Sequence, residues 1–127
     1  MSKRTRTPQH DATLAALQDA ERDADIIASN TFAVASEAAQ RTGDLRRKVA
    51  EQKEKVAALN ARCNGTGYAC DVDDAVDAER RLAELQAAFA ASEKETMEAS
   101  DKWRPAQRAA NAIADAVEAY RTTAKQI

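Results

Sequence analysis

Two thiols, Cys63 and Cys70, enclose the segment Asn64-Gly65-Thr66-Gly67-Tyr68-Ala69, which holds two of the chain's three glycines. Glycine takes the positive backbone angles that a tight reversal needs, so the segment reads as a loop with a cysteine at each foot. Thiols so placed can close a disulfide, whereas two cysteines alone are too few for a structural zinc site. A ring this short would add about 2 to 3 kcal/mol by restricting the unfolded chain. A reducing cytosol opposes the bond. The expected Cys63–Cys70 bridge therefore goes with a protein that is made in a cytosol and used outside it; the alternative is two reduced thiols with no structural part to play. A redox switch has little support, since Arg62 is the only neighbour that would depress a thiol pKa.

Other reactive groups are sparse. His10 is the one histidine, and at a predicted first helical turn it reads as a surface side chain. Without a second histidine, neither a Glu-x-x-His di-iron pair nor a common zinc site can be built. Glycines at 43, 65 and 67 do not compose a P-loop or a dinucleotide fingerprint. Asp71, Asp73 and Glu79 match some positions of a calcium-binding loop. Val76, however, stands where the turn glycine belongs and Leu82 where a bidentate glutamate belongs, so these acids read as helix-start residues. No catalytic residue, cofactor-binding residue or metal ligand is expected, and the chain reads as non-enzymatic.

Apolar stripes on both sides of the loop supply the architecture. Before it run Leu45, Val49, Gln52, Val56 and Leu59; after it come Ala75, Ala78, Leu82, Leu85 and Phe89. Steps alternating between three and four residues keep side chains on one helix face. The expected fold is all-α: an elongated antiparallel helical hairpin of coiled-coil type with a kinked C-terminal helix. The stripes pair Leu59 with Ala75, Val56 with Ala78, Gln52 with Leu82 and Val49 with Leu85.

Within this single domain, residues 1–6 form a basic arm, and Thr7-Pro8 starts a helix over 7–62. Along it Leu14, Leu17, Ala24, Ile27, Thr31, Val34, Ala35 and Ala38 give a thin stripe of mostly small residues. Gly43 is either a bend in that helix or the join between two, and the unbroken spacing from Thr31 through Ala38 to Leu45 favours continuity. After the loop at 63–70, Asp71 caps a helix over 71–103. Arg104-Pro105 then predicts a kink or a break. Residues 104–127 carry a narrow heptad seam of Ala106, Ala110, Ile113, Val117, Tyr120, Ala124 and Ile127, whose partner is either the N-terminal part of the same chain or another subunit. Trp103 is expected to anchor that junction against Phe32.

Composition narrows the function classes. Of 127 residues 44% are hydrophobic and 31% charged, with 4% aromatic, and mean hydropathy is −0.62. Alanine supplies most of the apolar share, which favours helix but buries little area per residue. Such a chain completes its core by lengthening or by packing on other chains. No apolar run approaches a membrane span, and the N-terminus lacks the apolar stretch of a secretory signal, so cytosolic synthesis is expected. The net charge of −2 draws it to neither nucleic acid nor an anionic surface. Its charges come in blocks: an acidic patch at Asp19, Glu21, Asp23 and Asp25, a basic stretch from Arg46 to Lys55, and an acidic one from Asp71 to Glu79. In a hairpin the last two face each other.

A helical hairpin with a glycine-containing turn resembles, in outline, the WxG family of secreted bacterial hairpins. The likeness carries no residue over, because no Trp-x-Gly stands at the turn and Tyr120 is followed four residues later by Ala124 instead of an acid. The expectation is a structural or assembly protein, such as a subunit of a bacteriophage particle, with the virion as its place of use. Ile113, Val117, Tyr120 and Ile127 would interlock with another helix of its own kind or of a neighbouring subunit. Lys3, Arg4 and Arg6 would touch an acidic neighbour. The alternative is a small helical inhibitor or adaptor that binds one target through the patch at Asp19 to Asp25. Specific nucleic-acid binding is not expected of three cations with no interleaved aromatic.

Overall fold

The computed structural model describes Pro8–Asn64 and Val72–Gln126, the second stretch with side chains as far as Thr123. These are two α-helices, α1 (Pro8–Asn64) and α2 (Val72–Gln126), packed together as a hairpin, with no strand among the described residues. The arm with Lys3, Arg4 and Arg6, the caps assigned to Thr7 and Asp71, the loop glycines, Cys70 and Ile127 lie outside the described residues.

Both helices pass through the residues that threatened them. Gly43 is exposed inside α1, and a Cβ built on it would meet nothing within 4 Å. The glycine costs about 1 kcal/mol relative to alanine, and Ala38, Thr42, Leu45 and Val49 carry the same seam across it. Of the two outcomes Pro105 allows, the break is not formed: α2 contains the proline in its interior. Pro105 is exposed, as is Asp101 one turn earlier, whose carbonyl loses its helical donor and can take water instead. Residues 104–126 are therefore the continuation of the helix that begins at Val72.

The residues group into two compact units, Ala35–Glu98 and Met1–Val34 with Ala99–Ile127. In the unit Ala35–Glu98 the buried residues are Ala35, Ala38, Thr42 and Val49 on α1 and Ala75, Ala78 and Ser92 on α2. Most are small. Each buries little apolar area, so the hairpin depends on alanine's helix propensity and on many small contributions.

Contacts in this unit step down α2 as they step up α1, which makes the pairing antiparallel. Arg41 reaches Glu95 at 3.5 Å, the Arg46 guanidinium lies 5.7 Å from the centroid of the Phe89 ring, and Asn60 Nδ2 donates to Glu79 at 3.4 Å. Gln52, expected opposite Leu82, donates from Nε2 to the Ala78 carbonyl one turn away (3.0 Å), which satisfies a polar side chain on the seam. The charge blocks meet only in part. Arg47 pairs with Asp44 on its own helix at 3.6 Å, while Lys55 shares a groove with Asp74 and Asp77. These side chains are exposed, so such pairs contribute at most about 1 kcal/mol each.

At the middle of the seam the core turns polar. Thr42 Oγ1 lies 2.7 Å from Ser92 Oγ and 2.8 Å from Thr96 Oγ1, donates to the Ala38 carbonyl at 2.9 Å, and is buried together with Ser92. Three hydroxyls thus satisfy one another across the two helices.

Candidate functional site

The unit Met1–Val34 with Ala99–Ile127 holds most of the residues singled out by sequence. Its buried residues are Leu14 and Ala28 on α1 with Ala99, Ala110 and Val117 on α2. Val117 is 1% exposed, and Ile113 and Tyr120 are half-buried beside it. Of the two partners the heptad seam allowed, α1 of the same chain covers these three side chains. Cys63 is half-buried in the last turn of α1.

His10 departs from its expected surface position. Its ring stacks on Tyr120, with centroids 4.5 Å apart and planes 18° apart, and Tyr120 Oη lies 3.0 Å from His10 Nδ1 and 3.5 Å from the His10 carbonyl oxygen. Two proton arrangements satisfy this geometry. Either the phenol donates to Nδ1, or Nδ1–H donates to Oη while the phenol turns to the carbonyl. The signal lay in the spacing: carrying the seam back from Thr31 through Ala24 and Leu17 lands on His10. The pair fastens the start of α1 to α2.

Phe32 and Trp103 meet as expected, with ring centroids 5.3 Å apart and planes inclined at 57°. The Trp103 Nε1 is shielded from water and has no hydrogen-bond partner among the described residues. This costs about 1 to 3 kcal/mol that the ring contact must offset.

Ile27 and Val34, expected in the apolar stripe of α1, lie instead in an exposed apolar patch that sequence reasoning missed. Ile26, Ile27, Phe32 and Val34 are 53%, 56%, 52% and 58% exposed, on regular helix. A groove beside Val34 is lined by Asn30, Thr31, Ala99 and Lys102. The clue was available, because Ile26, Ile27 and Val34 fall outside the seam positions that account for the other large apolar residues of this stretch.

Among the described residues, no group of three or more His, Cys, Asp or Glu is placed to hold a metal ion, and no helix is long and apolar enough to cross a membrane. Asp77 is held by Arg80 at 2.8 Å. No protein-family model, no curated protein and no solved structure matches the chain.

Proposed function

We propose that this chain is a non-enzymatic structural or assembly protein that works by helix–helix packing. Its partners are copies of itself or neighbouring subunits, and its setting is a virus particle of the bacteriophage kind. The observation that carries this reading is the exposure of Ile26, Ile27 and Val34 along one side of α1. Apolar side chains clustered so closely are what a protein partner covers. Ile113, Val117 and Tyr120 enter the reading as the side chains that seat α2 on α1 and so hold this surface firm. Lys3, Arg4 and Arg6 add a basic arm for an acidic neighbour, and Ile127 extends the seam.

The Cys63–Cys70 bridge belongs to the same reading. Cys63 ends α1 at the foot of the loop, and no free cysteine stands among the described residues. A bond across the loop suits a protein used after release from a reducing cytosol. Mass spectrometry of unreduced, alkylated protein should find both cysteines protected; two alkylated thiols would exclude the bridge.

Sedimentation of the full chain tests the assembly reading, with an average mass that rises with concentration as the expected result. A sharp monomer from micromolar to millimolar concentration would overturn self-assembly. That outcome would favour an inhibitor or adaptor acting through the exposed acids Asp19, Asp23 and Asp25.

A further inference from the structure

We propose that one face of the unit Met1–Val34 with Ala99–Ile127, formed by Ile27 and Val34 of α1 and Ala109 and Ala116 of α2, docks a second copy of this chain. Two hairpins then build a four-helix bundle over this stretch. The inference rests on the assembly reading and gives it a surface and an occupant.

The two units differ in what flanks the seam. In the unit Ala35–Glu98, Arg41 and Glu95 occupy facing flank positions and pair across the hairpin. One heptad earlier on α1 that flank position is Val34, and before it Ile27 and Ala20. One heptad later on α2 it is Lys102, followed by Ala109 and Ala116, and all six are exposed. Charged flanks belong to a coiled coil complete with two helices. A seam widened by an apolar flank has the breadth of a helix that packs on further helices as well. The opposite flank is mixed, with Gln18, Asp25 and Phe32 on α1 and Gln107, Ala114 and Arg121 on α2, so it lacks the unbroken apolar run that Ala20, Ile27 and Val34 make on this face.

Charge selects a second copy as the occupant. The face carries an acid, Asp23, on α1 and a base, Lys102, on α2. Lys102 adjoins Trp103, which sits level with Phe32, so the midpoint between the Lys102 level and Asp23 falls at Ile27 and Ala28. A two-fold axis crossing the helices there sets Asp23 of each copy level with Lys102 of the other, which makes the face self-complementary.

From Ala20 to Val34 the face is about 20 Å long, and two helices make it about 20 Å wide. The pair then buries about 800 Å2, which lies below the range of permanent interfaces and points to a weak, reversible dimer.

The test is sedimentation of the full-length chain from micromolar to millimolar concentration, with helicity followed by circular dichroism. Wild type should move from monomer to dimer. Ile27→Glu and Val34→Glu should stay monomeric with unchanged helicity, since both side chains are exposed, whereas Met97→Glu, 68% exposed in the other unit, should dimerise normally. Asp23→Lys should weaken the dimer about tenfold, and Asp23→Lys with Lys102→Asp should restore it. If wild type associates and Ile27→Glu and Val34→Glu associate equally well, this face is wrong and the assembly reading stands. If wild type stays monomeric throughout, both this docking and self-assembly fall. A double swap that does not restore association overturns the two-fold arrangement.

Discussion

Thr42→Val removes one hydroxyl from the polar layer of the unit Ala35–Glu98 while keeping the side chain's shape. Thr42 and Ser92 are 7% and 6% exposed, so water does not readily replace what is lost. In wild type, Thr42 donates to the Ala38 carbonyl and can accept from Ser92, while Thr96 donates to the Ser92 carbonyl at 2.9 Å or to Thr42. After the substitution Ser92 Oγ has lost its partner across the seam. A buried unsatisfied hydroxyl costs about 1 to 3 kcal/mol. Rotation toward the Ala88 carbonyl one turn back would bring the cost to the low end of that range. The added methyl returns at most about 1 kcal/mol. A net loss of about 1 to 2 kcal/mol is expected in guanidinium denaturation of the full chain followed by far-UV circular dichroism.

The decisive comparison is the triple variant Thr42→Val/Ser92→Ala/Thr96→Val. It leaves no orphaned hydroxyl and should lie within about 1 kcal/mol of wild type, or above it. The coupling between Thr42→Val and Ser92→Ala in a double-mutant cycle should reach about 1 kcal/mol. If Thr42→Val alone is as stable as wild type, or its effect simply adds to that of Ser92→Ala, the layer is not a bonded network and the reasoning fails.

Gly43→Ala should stabilise the chain by about 1 kcal/mol, seen as a higher denaturation midpoint at unchanged slope, because the added Cβ meets nothing within 4 Å. Val117→Asp puts a charge at a position 1% exposed and should cost several kcal/mol with a clear loss of helicity. The same change at exposed Ala112 should leave the melting curve within about 2 °C of wild type; equal effects at the two sites would show that the seam does not pack on α1. Phe32→Ala should cost about 1 kcal/mol and shift the emission of Trp103, the only tryptophan, to longer wavelength. Unchanged emission would count against the ring contact.

Local regularity of the chain was enough to determine two helices, their reversal and most of the face each turns inward, Ile27 and Val34 being the residues placed there that the structure exposes. Alanine-rich segments with an unbroken heptad phase from Leu14 to Leu59, and again from Ala75 onward, leave few alternatives. Tertiary structure decided what the phase cannot encode. A seam specifies that something covers it, not what, and only the packing of α2 on α1 made Val117 an internal side chain. Proline's cost depends on which side of the helix loses its hydrogen bond, so Pro105 was tolerated because that side is exposed. His10 became half-buried because a facing Tyr120 offered a stacking and hydrogen-bonding partner far away in sequence. The patch at Ile26, Ile27 and Val34 emerged for the complementary reason: two helices have room for one seam between them, and apolar residues beyond that width remain on the surface.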